Sequence, residues 1–147
     1  MRAAFTLCLG LLLALIAARP EAAGAGAATD SAGSFAYVTV VGAPGDGDQA
    51  LTSALGRQLE ARGLKLAAAV QANVYEVQGT VRIAPGTKGK ESVTIVWVVL
   101  GPDGVQLGVT RQTKDVRKGS LDKRWGKAAE AAAGAAAEDI AKLIPRE

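Results

Sequence analysis

Alternating apolar and polar positions dominate the middle of the chain. Between residues 73 and 112, three runs rich in β-branched residues are separated by two glycine-containing turns. In the first run, odd positions from Tyr75 to Ile83 are mostly apolar and even positions are polar. A two-residue period of this kind is typical of a strand with one buried face. The pattern predicts a three-stranded antiparallel sheet.

The second of these turns predicts how the last two strands pair. Residues 101–104 are Gly-Pro-Asp-Gly, which suits a three-residue hairpin loop with the final glycine in the left-handed conformation. That geometry pairs Val99 with Leu107 and Trp97 with Val109. The odd positions of both strands then share one face, which we predict to be the core.

The opposite, even-numbered face is predicted to carry an apolar strip. The same register places Gly108 beside Val98 on this face, and polar residues flank a strip formed by Val96, Val98 and Leu100. Exposed apolar strips on sheets commonly mark interfaces, so these three residues are candidate interaction residues. Alternatively, segment 22–34 or the flank of the first strand covers this strip, and the sequence does not favour either possibility over an interface.

Apolar residues recur with helical spacing both before and after the sheet region. Leucines at four-residue spacing predict a helix from about Gln49 to Arg62, with Asp46 or Asp48 as its N-cap and Gly63 as the residue that ends it. A second helix is predicted from near Ser120 to Ile144, because apolar residues recur there every three or four positions.

The order of these elements defines the fold class. Phe35–Val41 reads as a first strand, and residues 64–70 are either a short strand or the lead-in to one. We therefore predict an α+β fold of two layers in the order β-α-β-β-β-α. A right-handed crossover places the first helix on a mixed four-stranded sheet, with both helices on one face.

The N-terminus predicts export. A basic start, an apolar run from Ala3 to Ala18 and a group of small residues after it fit a secretory signal peptide over residues 1–25. A flexible tether over 26–34 and a single domain over 35–147 follow. A retained anchor is the alternative, although the run is shorter than the roughly 20 residues of a membrane span. The predicted location is the periplasm, with envelope association as an extension.

Composition limits the chemistry. The chain has no histidine and one cysteine, Cys8, which lies inside the predicted signal and too early in it for lipidation. Imidazole and thiolate are the usual ligands of zinc, iron and copper and the usual members of nucleophile–base pairs. We therefore predict no enzymatic activity, no metal site and no cofactor. A net charge of +3 is too small to indicate nucleic acid, and we predict none as a partner.

One loop offers an alternative function. Gly42–Asp48 lies between a predicted strand and helix, where phosphate-binding loops occur, but it lacks the lysine and hydroxyl of such a loop. Asp46 and Asp48 would also repel phosphate, and they lack the following ligands of a calcium loop. Ser120 and Lys123 match an S-x-x-K motif without its companion motifs. A small-ligand binder or enzyme using Gly42–Asp48 remains the alternative to a binding module.

A basic segment lies between residues 111 and 127. Its basic residues greatly outnumber its acidic ones, and it contains Trp125. Such a segment can meet anionic lipid headgroups or an acidic partner. A solvated loop, with Trp125 anchoring the helix, is the alternative and the commoner situation. The candidate interaction residues in this segment are Arg111, Lys114, Arg117, Lys118, Lys123 and Arg124.

Several stretches resemble a group of small exported α-proteobacterial proteins, many of them lipoproteins of unassigned activity. The likeness is carried over about residues 38–145 by NVYEVQGTV (73–81), GAPGDG (42–47), IVWVV (95–99), GPDGVQLG (101–108) and GSLDKRWG (119–126). More loosely, the order of elements is similar to the N-terminal domain of the Tol–Pal propeller protein and to curli-secretion and penicillin-binding-protein-activator lipoproteins.

This resemblance implies a binding or assembly module of the cell envelope that is not a catalyst. The partner it implies is an envelope protein or an anionic envelope surface, and peripheral association with the membrane is one form of the latter. The chain departs from the lipoprotein members because it lacks a suitably placed cysteine. Fold analogy of this kind transfers no residue roles.

Overall fold

A computed structural model describes residues 34–146, which form one mixed sheet and two helices. The predicted signal peptide and nearly all of the predicted tether lie outside the described residues. In chain order the elements are β1 (Phe35–Val41), α1 (Gly47–Glu60), β2 (Lys65–Leu66), β3 (Val74–Pro85), β4 (Lys90–Leu100), β5 (Gln106–Arg117) and α2 (Gly126–Leu143). The sheet has the strand order β2-β1-β3-β4-β5; β1 is parallel to both neighbours and the remaining pairs are antiparallel.

The predicted α+β class is confirmed, but the sheet has five strands and not four. The extra strand, β2, consists of Lys65–Leu66 and pairs with the start of β1. Two residues are too few to show a period in the sequence. Leu66 lies under α1, where an ideal Cβ built on Gly56 would come within 2.8 Å of its Cδ1 atom. The crossover from α1 is therefore tied to the edge of the sheet.

Both helices pack on the same face of the sheet, as predicted. The odd residues of β3 and β4 and the leucine stripe of α1 belong to one buried cluster. Apolar burial is the main favourable term in folding, and this single cluster supplies it. The largest fully buried side chains are Trp97, Leu51, Leu55, Leu59, Ile140, Ile144, Val77 and Val99.

A glycine makes room for the largest core residue. Gly79 on β3 lies directly opposite Trp97 on β4. An ideal Cβ at position 79 would lie only 2.5 Å from the Cζ3 atom of the Trp97 ring. The indole is completely buried, so the close approach of ring and backbone depends on the absence of a side chain at Gly79.

The predicted register between β4 and β5 is wrong by one residue. Val99 is paired with Gly108 and Val98 with Val109, with an irregularity between Val99 and Leu100. The turn itself forms as predicted, since Gly101 N donates to Val105 O over 2.8 Å. A β-bulge after the turn inserts one residue into β5, which moves every later side chain to the other face.

The bulge exchanges the faces of β5. Gly108 lies on the helix side of the sheet and not beside Val98 on the opposite face. Its position is shown by Leu143 of α2, whose Cδ2 atom would lie 2.6 Å from an ideal Cβ built on Gly108. Gln112 also faces the helices, and its Nε2 donates to Ala132 O over 2.9 Å. Leu107 and Val109, both predicted for the core, are instead 39% and 49% exposed.

The helix bounds differ from the predicted ones by two residues at each end of α1 and mainly at the start of α2. α1 begins at Gly47, and Gly63 follows it with a φ of 89°, the left-handed conformation predicted for the terminating residue. α2 begins at Gly126 and not near Ser120. Residues 119–125 are a turn followed by irregular backbone, although Leu121 within them is buried and continues the apolar spacing of the helix. Among residues 34–146, neither helix has the length and apolar character of a membrane-spanning helix.

Candidate interaction face of the sheet

The face of the sheet opposite the two helices is the candidate site. We call it the open face; it carries the even residues of β3 and β4 and the odd residues of β5. Strand β1 pairs beside β3 in the same sheet and does not itself cover the predicted strip. The residues before β1, which include segment 22–34, lie outside the described residues apart from Ser34, so a cover by this segment or by the flank of β1 stays a prediction.

The predicted strip lies on this face and is wider than expected. Val96, Val98 and Leu100 are each half-buried. Because of the bulge, Val109 lies directly opposite Val98 and is 49% exposed. We call Val96, Val98, Leu100 and Val109 the apolar patch. Sequence reasoning assigned Val109 to the core because a bulge leaves no signature in the hydrophobic period. The signal that the sequence does carry is Gly108, whose missing side chain leaves room for Leu143 on the helix side.

Polar groups border the apolar patch on both sides. Gln78 is opposite Val98, and its Nε2 donates to Glu76 Oε1 over 2.8 Å. On the other side Arg111 is opposite Val96. Thr94 and Thr113 face each other below the patch, with 3.1 Å between their Oγ1 atoms. An apolar centre with a polar rim is the usual composition of a protein–protein interface.

The structure divides the basic segment among four places. Arg111 and Arg117 lie on the open face of β5, and both are exposed. Lys114 lies on the helix side, and Lys118 follows the end of β5 with its N bonded to Gly89 O. Lys123 and Arg124 lie in the turns before α2. Of the six basic candidates, only Arg111 adjoins the apolar patch, so the strip and the basic segment do not form one site.

The loop Gly42–Asp48 packs against the start of α2. Asp46 N donates to Lys123 O over 3.1 Å, and Asp46 Oδ1 accepts a bond of 2.8 Å from Trp125 N. The Trp125 indole Nε1 donates to Pro44 O over 2.9 Å. An ideal Cβ at Gly45 would lie 2.5 Å from Lys123 O, so backbone fills the space in front of the loop. Trp125 is 3% exposed, which confirms it as the anchor of α2.

The two aspartates of this loop have structural partners and are not side-chain caps. Asp46 occupies the N-cap position of α1, but its side chain makes no hydrogen bond to the helix. Asp48 Oδ1 accepts a bond of 2.7 Å from Ala43 N and so closes the loop on itself. Within residues 34–146, no group of three or more acidic, histidine or cysteine side chains is arranged to hold a metal ion.

A groove of about 280 Å³ separates α2 from β5. We call it the α2–β5 groove. Alanines of α2 line it on the helix side, where larger side chains would reach the sheet. Its walls are apolar apart from the backbone and side chains of β5; they include Thr113, Lys114, Val116, Trp125, Ala131 and Ala135.

Comparisons with known proteins identify the fold. Neither a protein-family model nor a curated protein sequence matches the chain. Among solved structures, the PelC dodecamer from Paraburkholderia phytofirmans is 18% identical with a TM-score of 0.50, over 80% of this chain and 91% of PelC. An uncharacterised protein is 14% identical with a TM-score of 0.50, over 76% of this chain and 91% of its own.

Lipoprotein GNA1162 from Neisseria meningitidis has the lower TM-score of 0.47, at 12% identity over 75% of this chain and 99% of its own. At these identities the likenesses show the fold alone. The chain therefore has the fold found in PelC. The looser resemblance to the Tol–Pal, curli-secretion and penicillin-binding-protein-activator proteins stays a prediction.

Proposed function

We propose that this protein is a non-enzymatic module of the cell envelope that binds a partner protein through the open face of its sheet. The observation that carries the proposal is the apolar patch. Both helices lie on the other face, and the bulge adds the half-exposed Val109 to the strip predicted from the sequence. A contiguous apolar group with a polar rim on a sheet is characteristic of a binding surface.

The patch can supply binding free energy of a useful size. Burying a fully exposed valine or leucine is worth about 1.5–3 kcal/mol, and each patch residue is already partly covered. About 1 kcal/mol for each of the four side chains is therefore a reasonable gross gain, from which the cost of association is subtracted. Arg111 at the rim adds a positive charge that favours an acidic group on the partner.

Location in the envelope is supported by the predicted signal peptide over residues 1–25. The PelC structure with the same fold is a dodecamer, so a chain of this fold can take part in an assembly. An anionic envelope surface is the other partner considered from the sequence. It has less support, since the structure separates most of the basic candidates from the apolar patch.

The alternative function, a small-ligand binder or enzyme using Gly42–Asp48, also has less support. Pro44, Asp46 and Asp48 already have hydrogen-bond partners within the protein, and Gly45 is in close contact with Lys123. These contacts explain the residues of the loop without a ligand. Ligand-dependent stabilisation that is lost in Asp46→Ala, although the variant is folded, would revive this alternative.

Affinity capture from a bacterial envelope extract tests the proposal. The bait is the protein expressed from its full coding sequence, and the variants are Val98→Asp and a matched Thr39→Asp. Thr39 lies on the open face in the same row as Val98, two strands away, outside the patch. We expect a defined protein captured by wild type and by Thr39→Asp but not by Val98→Asp.

Two results would contradict the proposal. Equal capture by the two aspartate variants would exclude the patch as the binding surface. Flotation of the protein with anionic vesicles, together with no captured protein, would replace the protein partner by a lipid surface. Circular dichroism of all three proteins controls for unfolding.

A further inference from the structure

The outer edge of β5 is the longest exposed edge of the sheet. β5 spans Gln106–Arg117 and pairs with β4 on one side only. The opposite edge belongs to β2, which has two residues. A long edge strand offers a row of backbone donors and acceptors to a further strand.

The hydrogen bonds of the sheet show which residues point their backbone outward. Lys118 N donates to Gly89 O, the residue directly opposite it, so Lys118 belongs to a pair that exchanges its hydrogen bonds with β4. Such pairs alternate along an antiparallel ladder. The even residues of β5 therefore bond to β4. The odd residues from Val109 to Asp115 direct their N–H and C=O groups away from the sheet.

The side chains of these outward-pointing residues are complementary to a second copy of the same segment. Arg111, Thr113 and Asp115 are all exposed and lie on the open face. Neither Arg111 nor Asp115 forms an ion pair within residues 34–146. The two charges are opposite in sign and lie symmetrically on either side of Thr113.

We propose that a second copy of this chain pairs antiparallel with β5, with Thr113 on the two-fold axis. Arg111 of each copy then lies opposite Asp115 of the other, which gives two cross-strand ion pairs on the open face. The segment Arg111–Asp115 contributes about six backbone hydrogen bonds, two for each directly opposite pair. The result is a continuous ten-stranded sheet with two-fold symmetry.

Charge selects this register among those that use the outward-pointing groups. An axis at Arg111 would place two arginines opposite each other, and an axis at Asp115 would place two aspartates opposite each other. An axis at Thr113 is the one that satisfies both charges in both copies. Opposite charges on directly facing residues stabilise a strand pair, and like charges destabilise it.

The limits of the paired segment follow from the neighbouring contacts. Arg117 O already accepts a hydrogen bond from Ser120 N, so the turn after β5 competes for that group. Near the other end, the bulge at Leu100 and Gln106 interrupts the regular strand. Charges and bulges protect edge strands against indiscriminate pairing. Here they leave a short segment whose charge pattern favours its own copy.

The helix side of the same edge is suited to a second copy. In this register Lys114 of the second copy lies opposite Gln112, on the side where the α2–β5 groove borders β5. Its methylene stem then covers part of the groove while its ammonium group reaches solvent. The pairing does not depend on the proposed partner protein. It places the apolar patches of two copies on one surface.

Sedimentation velocity over about 1–500 µM tests the pairing on the protein expressed from its full coding sequence. We expect a monomer–dimer equilibrium for wild type. Arg111→Asp and Asp115→Arg each replace two attractive pairs by two repulsive ones, so each raises the dissociation constant about tenfold or more. The double variant R111D/D115R restores opposite charges and should return the constant to near that of wild type.

Arg82→Asp is the matched control, because it makes the same charge change on the open face of β3, away from the edge. It should leave the dissociation constant unchanged. A protein that is monomeric at every concentration overturns the proposal. So does a dimer that neither single variant weakens, or one that the double variant fails to rescue. Thermal unfolding of each variant confirms that it is folded. The vesicle and capture results for the apolar patch are independent of these outcomes.

Discussion

Replacement of Gly79 by alanine tests the central packing contact of the sheet. The new methyl group would lie 2.5 Å from Cζ3 and 2.8 Å from Cε3 of Trp97. Real Cβ atoms do not approach other carbon atoms so closely, so ring or strand must move. The indole is completely buried between sheet and helices and cannot swing into solvent. The clash must therefore be relieved by a shift of packed groups.

The expected cost combines two opposing terms. Forcing an extra methyl group into a well-packed core costs about 1–3 kcal/mol. Alanine also restricts the unfolded chain and fits a strand better than glycine, which returns about 0.5–1 kcal/mol. The midpoints of the two ranges give a net loss of about 1 kcal/mol of unfolding free energy, or roughly 4–6 °C in Tm for a domain of this size.

Urea unfolding followed by far-UV circular dichroism measures this loss. The matched control is Gly134→Ala, the same chemical change in α2, where a Cβ would meet nothing within 4 Å. Because alanine is the better helix former by about 1 kcal/mol, this variant should be more stable than wild type. Gly79→Ala in a Trp97→Leu background should cost clearly less than in wild type, because leucine leaves room for the methyl group.

The reasoning would be refuted by either of two results. If Gly79→Ala is as stable as wild type, the close approach of Trp97 to the β3 backbone is not as described. If its cost is the same in the Trp97→Leu background, the loss comes from the strand and not from the indole.

Three further predictions concern the loop and the ionisable groups. Asp46→Ala should lower the unfolding free energy, measured by urea unfolding, by about 1–2 kcal/mol, because the buried Trp125 N loses its acceptor. The control Glu60→Ala, on the exposed side of α1, should change it by no more than about 0.5 kcal/mol. Equal losses in the two variants would contradict this. Trp125→Phe should cost about 1 kcal/mol or more in the same assay through the lost bond to Pro44 O and the smaller ring, and no loss would count against the anchor. The unfolding free energy should change by less than about 1 kcal/mol between about pH 6 and pH 8, because the chain has no histidine and the described residues include no buried charged group. A steep change of the unfolding free energy in urea titrations across this range would contradict the prediction.

The exposed ion pair of Glu138 and Lys142 makes a pH-dependent contribution to the unfolding free energy. A hydrogen bond from Lys142 lowers the pKa of Glu138, and the same bond raises the pKa of Lys142. The contribution of Glu138 is therefore present above its unfolded pKa and is lost as pH falls through its folded pKa. That of Lys142 is present below its unfolded pKa and is lost as pH rises through its folded pKa. Both side chains are exposed, so the effect on stability is small.

The sequence predicted which helices and strands form better than it predicted the register in which the strands pair. Strands β3 and β4 have a two-residue period with buried odd positions, and that period is set by burial on one face. The β4–β5 register failed because a single inserted residue at a bulge depends on the local backbone after the turn and not on side-chain pattern. β5 itself has few apolar residues, so its pattern could not correct the error.

The candidate site was predicted in part for the same reason. Val96, Val98 and Leu100 belong to β4, whose faces the period assigns, and they lie on the open face. Val109 and the division of the basic segment depend on the bulge and on the turns before α2. The start of α2 was misplaced because Leu121 is buried from a turn, at a spacing that imitates the helix. Contacts such as Asp46 with Trp125 join distant residues that no local pattern connects.

Site-specific photocrosslinking in living cells tests the proposed function most directly. A photoreactive amino acid placed at Val98 lies in the apolar patch, whereas the same group at Ser53 lies on the exposed outer side of α1. The proposal predicts a discrete crosslinked adduct to an envelope protein from position 98 and none from position 53. Equal adducts from both positions, or none from position 98 in cells that contain the exported protein, would contradict it.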